Sequence, residues 1–325
     1  MALKSIFTSV FFFLCIGLSF SQERADAVIY DEQTDYIQAF PNHITARLYF
    51  VNTSNSFVFK DRNSPDVFKL NPNKQDHIGA SVSFKFLTIS YGFAPNFLAE
   101  NRDNEGSKLF NINFRTYFGK FMQTLDIYNQ KGFYLDGYGE RSYLSDTKTF
   151  KIGGRTSYIF NENFSFRAIV SQDEKQLKNA GSFIPNLSYY YTKHKIVTDD
   201  DEGTYNSFDI SVAPAYYYNF VPADNLLISA GASAGLGINH TTSSEESLTS
   251  LSTELNFRAS IAYDISNFYL GSHYNYTIIN HDSDRSTYVK DNIPYFEVFL
   301  GYRFKAPIKW VNEIDTIENK IIKQK

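Results

Sequence analysis

Residues 251–264 read LSTELNFRASIAYD. Leu251, Thr253, Leu255, Phe257, Ala259, Ile261 and Tyr263 fall on one parity, and Ser252, Glu254, Asn256, Arg258, Ser260, Ala262 and Asp264 on the other. A period of two is the signature of a β-strand, whose successive side chains point to opposite faces. The same reading holds from Phe110 to Phe118 and from Phe150 to Phe160, and twelve stretches of the chain alternate in this way. Each carries an aromatic-rich face and a face of Arg, Glu, Asn, Ser and Gly. A soluble sandwich buries its apolar face and wets the other, so alternation alone fits a sandwich as well as a membrane barrel. Segment length, aromatic load and the N-terminus decide between them.

The N-terminus has the form of a secretory leader. Lys4 precedes an apolar core from Ile6 to Leu18, and Ser19-Phe20-Ser21 before Gln22 makes a small-x-small cleavage site. The core is short for a membrane span, and acidic sequence follows it (Glu23, Asp26, Asp31, Glu32, Asp35). Cys15, the single cysteine, lies inside this leader, so the mature chain is expected to have no disulfide and no thiolate chemistry. No later run is apolar enough for a spanning helix, and the mean hydropathy is −0.32. Yet the chain holds 31 Phe and 24 Tyr against one Trp. Aromatic girdles at two membrane interfaces account for that load. A net charge of −4, with basic residues spread singly along strands, makes no case for a nucleic-acid partner.

The expected fold is an all-β, antiparallel transmembrane outer-membrane β-barrel of about twelve strands, within a range of ten to fourteen. Strands fall near 43–52, 76–85, 87–97, 107–118, 121–129, 148–160, 163–196, 207–220, 225–239, 251–264, 267–280 and 294–305. Short turns mark the periplasmic side of such a barrel, and long polar loops its outside. The long loops are expected at 98–106, 130–147, 197–206, 240–250 and 281–293. Residues 53–75 hold a candidate extra hairpin (Phe57-Val58-Phe59 and Val67 to Leu70) that would make fourteen strands. Residues 163–196 exceed one span and read as a single strand in two halves, Phe164 to Ser171 and Leu187 to Ile196, interrupted by Gln172 to Asn186, where Gly181 and Pro185 break a regular ladder. The domain plan is a signal peptide at 1–21, a periplasmic segment at 22–42, a barrel at 43–305 and a periplasmic tail at 306–325. In the tail Ile314, Ile317 and Ile321 give a weak helical signal. Both termini are expected in the periplasm. The expected partners are outer-membrane lipid, the barrel-assembly machinery for insertion, and a periplasmic partner at 22–42 or 306–325.

Several motifs resemble a family from Bacteroidota defined by the domain of unknown function 4421. They are Tyr36-Ile37 before Phe40-Pro41, Thr45-x-Arg47-Leu48-Tyr49, Asn71-Pro72-Asn73, Gly79 with Phe84 to Leu87, and Asp126 with Gln130-Lys131-Gly132-Phe133-Tyr134. The most distinctive is Glu174-Lys175-Gln176-Leu177-Lys178-x-Ala180-Gly181-Ser182-Phe183. The resemblance implies an outer-membrane barrel and no particular activity.

The polar parity carries Arg47, Arg115, Arg155, Arg167, Arg258 and Arg303, all near the periplasmic turns on this strand map. Asp126, Asp209, Glu254 and Glu297 share the parity but fall nearer the outer half, which leaves only Asp264 at the depth of the arginines. Guanidiniums facing lipid are costly, so these residues are expected to line the lumen. Two readings follow. The arginines form a constriction that attracts anions, or they join acids in a network that fills the lumen.

His194, His240 and His281 fall at outer strand ends, beside Asp199 to Glu202, Glu245-Glu246, Asp282 and Asp284. Such a rim has the groups of a cation or hydrolase site, and equally those of a solvated surface. Ser233 and Ser272 lie on strands that suit a Ser–His pair, but no nucleophile elbow accompanies them. Gly231 to Gly237 lacks the Lys and helix of a phosphate loop. Neither a metal-ligand spacing nor a cofactor motif is present, so no catalytic residue, metal or cofactor is assigned. The expected function is passage or binding of small solutes, with anions favoured if the arginines form an open constriction. The alternatives are a closed-lumen structural or partner-binding barrel and an outer-membrane hydrolase with a His/Asp rim.

Overall fold

The computed structural model describes residues 34–322 except 54, 62–66, 103–105, 138, 171–172, 199–201, 245–246 and 283–286. The expected leader lies outside these residues. In chain order the strands begin β1 (Ile37–Ala39), β2 (His43–Thr53), β3 (Ser56–Asp61), β4 (Val67–Pro72), β5 (Asp76–Phe84), β6 (Leu87–Phe93), β7 (Lys108–Phe118) and β8 (Phe121–Gly137). They continue β9 (Glu140–Tyr158), β10 (Glu174–Gln176), β11 (Ala180–Val197), β12 (Glu202–Ala223), β13 (Leu226–Thr242), β14 (Ser247–Ile265), β15 (Phe268–Asp282) and β16 (Thr287–Lys305). Two helices, α1 (Arg167–Val170) and α2 (Ile308–Ile322), complete the described elements. No described helix is long and apolar enough to cross a membrane.

The protein is an antiparallel β-barrel. Twelve of the described strands close a ring in the order β2, β5, β6, β7, β8, β9, β11, β12, β13, β14, β15, β16, and β16 pairs back onto β2. Alternation sorts the side chains as the sequence predicts. On β14, Ser252, Glu254, Asn256, Ser260, Ala262 and Asp264 are buried, while Leu251, Leu255, Phe257, Ile261 and Tyr263 are exposed. On β12 the exposed row is Phe208, Ile210, Val212, Tyr216, Tyr218 and Phe220. A wall that is apolar outside and polar inside belongs to a barrel that crosses a lipid bilayer. Three inward glycines of this wall each take the ring of the tyrosine directly opposite: Tyr49 on Gly79, Tyr217 on Gly231 and Tyr269 on Gly301.

The ring changes circumference along its axis. β16 has 19 residues and β8 has 17, but β2 and β7 cover only 11 residues each on their edges. Backbone donors left over on β16 and β8 need partners. β3 pairs with β16 from Thr287 to Asn292, and β4 pairs with β8 from Phe133 to Asp136. Twelve described strands therefore encircle the end with the short turns, and ten encircle the other, where β3 and β4 replace β2, β5, β6 and β7. The extra hairpin at 53–75 exists, but it stacks above the ring and leaves it at twelve.

A polar seam fills the fork below this hairpin. Asn73 is fully buried and donates to Asn101 O (3.1 Å) and Ser107 Oγ (2.7 Å). Its own amide N–H donates to Gly132 O (3.1 Å), and Gln130 Nε2 donates to Lys74 O (3.2 Å). Burial, with Lys108 adding to it, lowers the pKa of the Lys74 ammonium, which donates to Ala94 O and Asn96 Oδ1. At Gly132 (φ +85°) the β8–β9 register slips by two residues, from Lys131 opposite Lys148 to Phe133 opposite Leu144. Even-numbered residues of β8 point inward before this bulge, and Phe133 and Leu135 point inward after it.

Three expectations change here. The polar stretches 130–147 and 281–293 are mostly paired strand, because a hairpin continues its ladder in water once its side chains turn hydrophilic. Residues 163–196 do not form one divided strand. Phe164 to Val170 leave the wall, and β11 starts at Ala180. Gly181 and Pro185 then lie within a regular ladder. Pro185 faces Pro214 across the β11–β12 pair, and β9 starts to pair with β11 only at Asn186, so the missing N–H of Pro185 has no carbonyl to answer. The β12–β13 ladder skips Ala213 and Pro214.

Phe257 lies midway along the apolar face of β14, so Phe257→Arg is expected to lower stability in lipid vesicles by roughly 2–4 kcal/mol. Ser260→Ala should change it far less, and equal losses in urea titrations would mean that this face meets no lipid. A second comparison checks the bulge. A Cβ at Gly132 would sit 2.6 Å from both Ser107 Oγ and Tyr143 Oη, whereas one at Gly139 (φ +79°) meets nothing. Gly139→Ala should cost about 1–3 kcal/mol for its backbone alone, and Gly132→Ala clearly more, read as the shift in urea midpoint.

Candidate binding site in the barrel lumen

The lower lumen, at the short-turn end, is filled by the segment between β9 and β11. Phe164, Phe166, Ile169 and Val170 are buried against the inward Tyr117, Met122, Ile184, Ala215 and Tyr217 of the wall. Phe166 meets the Tyr217 ring edge-on at 5.3 Å. Ala168 packs among Tyr49, Val51, Leu227, Tyr269 and Phe299. Gln176 organises the polar side of this plug. Its Oε1 accepts from Ser165 N (2.8 Å) and Asn219 Nδ2 (2.9 Å), and its Nε2 donates to Asn163 O (2.7 Å) and Tyr36 O (3.1 Å). β1 pairs with β10, Ile37 opposite Gln176, so the chain ahead of the barrel runs into the plug. That part of 22–42 was expected to stand apart from the barrel. Phe164 and Phe166 are apolar in strand-like alternation, which is why they read as wall.

Four of the six arginines have acids beside them. Arg47 lies 3.2 Å from Glu297 and donates to Val170 O of the plug (3.0 Å). Glu297 also meets His273 at 3.4 Å and accepts from Tyr295 Oη. Arg155 pairs with Glu254 (2.8 Å), and Arg303 with Asp264 (2.5 Å) while stacking on Phe40 and Tyr269. Arg167 lies on α1 in the plug, not on a wall strand. It pairs with Asp173 (2.5 Å) and lies 3.4 Å from Glu174. Burial raises the pKa of the Glu174 carboxyl, and Arg167 opposes the rise. The expectation that acids sit above the arginines is therefore corrected. Side chains of strands staggered around a barrel meet at depths that a flat strand map does not give. Asp126 accepts from Asn113 and from Tyr190 Oη (2.9 Å), and Asp209 from Asn239 (2.6 Å).

Arg115 and Arg258 differ. The Nε of each is buried without a hydrogen-bond partner, and Arg258 rests over the Phe166 ring at 5.7 Å.

Above the plug lies a cavity of about 410 Å³. One wall is Phe57, Phe59, Phe68, Leu70 and Leu135, the inward faces of β3, β4 and upper β8. The rest of the lining includes Lys151, Arg155, Tyr190, Asp209 and Glu254, with Ser and Thr hydroxyls between them, and Asp291 beside Phe57 on the neighbouring strand. Lys60, Lys69 and Lys193 point outward at this level and are exposed. The hairpin's wall has thus reversed its polarity, apolar inside and charged outside. Sequence reading missed this wall as a site. The alternating Phe57, Phe59, Phe68 and Leu70 were its signal, but nothing local says that they face inward.

The histidines do not form a rim. His194 and His281 line the cavity, and the His194 ring meets Phe57 edge-on at 4.7 Å. His240 is exposed on the outward parity and bonds Thr249 (2.8 Å). Asp199 to Asp201, Glu245, Glu246 and Asp284 lie outside the described residues, and Glu202 pairs with Lys195 (2.6 Å). Among the described residues no metal-ligand group of three gathers. Ser233 is buried with no partner at Oγ, and Ser272 points outward, so neither meets a histidine.

A family model described as "Domain of unknown function (DUF4421)" matches residues 30–304. No curated protein matches the sequence. Among solved structures the chain is similar to the outer-membrane OmpT of Vibrio cholerae (10% identity, TM-score 0.36, 85% of this chain and 100% of that one). It is also similar to the outer membrane protein OprG of Pseudomonas aeruginosa (10%, 0.30, 82% and 98%) and the outer membrane protease OmpT of Escherichia coli (7%, 0.33, 85% and 100%). At such scores the site is read from its own residues.

The Arg47–Glu297 pair offers a direct check. Arg47→Ala strands a buried carboxylate and is expected to cost about 3–5 kcal/mol. The double variant Arg47→Met, Glu297→Leu should recover most of that loss in urea unfolding. A double variant no better than the single one would show that the pair is not what holds this part of the lumen.

Proposed function

The chain belongs to the DUF4421 family, and we propose that it is an outer-membrane binding barrel: a cup, open at the ten-strand end, that takes a small ligand into its upper lumen. The observation that carries this reading is the pairing of a filled lower lumen with an apolar-walled cavity above it. A passive pore gains nothing from phenylalanines on one wall or from a plug with its own hydrophobic core. The cup faces outside the cell, and both termini lie in the periplasm. There α2, tied through Asp315 to Lys85 of the β5–β6 turn (2.7 Å), and the chain ahead of β1 meet a periplasmic partner. Outer-membrane lipid surrounds the ring, and the barrel-assembly machinery inserts it. No catalytic step, metal or cofactor is assigned.

Planar-bilayer recording tests the plug. The intact barrel should show no steady conductance, and deletion of 163–178 with a short glycine linker should open discrete steps. Steady conductance in the intact protein would replace binding with passage. Orientation has its own test. A cysteine at Ser244 should react with an impermeant maleimide on whole cells, and one at Glu162 should not. The reverse pattern would turn the cup inward.

A further inference from the structure

We infer that the ligand of the cup is an amphipathic acid, with an apolar body against the phenylalanine wall and an anionic group on the arginines of the floor. This rests on the lumen being a binding cup. The cavity walled by Phe57 and Phe68 also reaches Arg155. Register places Thr124 directly between Arg115 and Arg155, and the charges of both arginines act on Arg258. Arg155 thus lines the cavity floor itself, Arg258 rests over the Phe166 ring of the plug, and Arg115 lies within reach of their charges.

The nearby acids are already engaged. Glu254 is held by Arg155 and by Ser211 (3.1 Å). Asp126 takes the Tyr190 hydroxyl and the Asn113 amide, and its charge also acts on Arg155. Higher on the wall, Asp209 is held by Asn239, and Asp291, whose Oδ1 is buried without a hydrogen-bond partner, lies within reach of the charges of His281 and Lys151. Arg115 and Arg258 are left without an acid among the described residues, their Nε atoms buried and unbonded. Guanidinium groups held close together away from bulk water repel one another, and each loses hydration that it does not recover. A carboxylate or comparable monoanion removes the repulsion and accepts two parallel hydrogen bonds from one guanidinium. Above that point the cavity offers the anion's carrier an apolar wall, so a small hydrophilic anion leaves the phenylalanines unused.

The test compares octanoate with octanamide, titrated calorimetrically into the full barrel in lipid nanodiscs. Octanoate is expected to bind about 10- to 100-fold tighter, the worth of hydrogen bonds to a charged group. Arg115→Gln with Arg258→Gln should bring octanoate down to the octanamide level and leave octanamide where it was. Arg115→Lys with Arg258→Lys should keep the preference, which guards against a glutamine variant that does not fold. Phe57→Ala with Phe68→Ala should weaken both ligands together. Equal affinities in the unaltered barrel would overturn the acid assignment while leaving the cup. Failure of both ligands to bind would overturn the cup itself.

Discussion

A backbone amide that faces hydrocarbon has no partner except another strand. The closure of β16 onto β2 answers that requirement for the whole ring, since a sheet of these strands left open would expose two edges to lipid. The same demand explains the fork. β8 and β16 rise past the ends of β7 and β2, and the β3–β4 hairpin takes up the amides they would otherwise leave unpaired. The narrowing from twelve strands to ten is thus a consequence of hydrogen-bond supply, and it brings four apolar side chains over the lumen.

Closure creates a second demand, because twelve strands enclose more space than their own side chains fill. The wall meets part of it by seating tyrosines on opposed glycines. The plug meets the rest near the short turns, where Phe166, Ile169 and Val170 form a small core inside the barrel. Its polar edge is held by Gln176 and Asn219, and its charge by Arg167 with Asp173. The space left over is the upper cavity, with Arg155 in its lining and Arg258 below it on the Phe166 ring of the plug.

Motifs far apart in the sequence become neighbours. Tyr36-Ile37 meets Gln176-Leu177 through the β1–β10 pair and the Leu177 N to Tyr36 O hydrogen bond (2.7 Å). Asn71 to Asn73 meet Gly132 to Tyr134 across β4 and β8. One encounter ties the plug to the chain ahead of the barrel, and the other seals the fork and turns Phe133 and Leu135 inward.

The sequence by itself determined the barrel, the number of its ring strands and the faces of regular strands such as β14, because period two is a local property that lipid and lumen both enforce. Leu251 to Asp264 can be read strand face by strand face without a single coordinate. It also held the hairpin at 57–70 as a possibility, and five of the six arginines, all but Arg167, as lumen groups on their parity. Only the tertiary structure decided that Phe164 to Val170 leave the wall, since a strand and a plug with the same apolar alternation differ only in what surrounds them. It alone decided which arginines find acids. Arg155 reaches Glu254 and Arg47 reaches Glu297 across strands distant in the chain, at depths set by the stagger of the closed sheet. Pairing around a ring is a long-range property, and alternation carries no record of it.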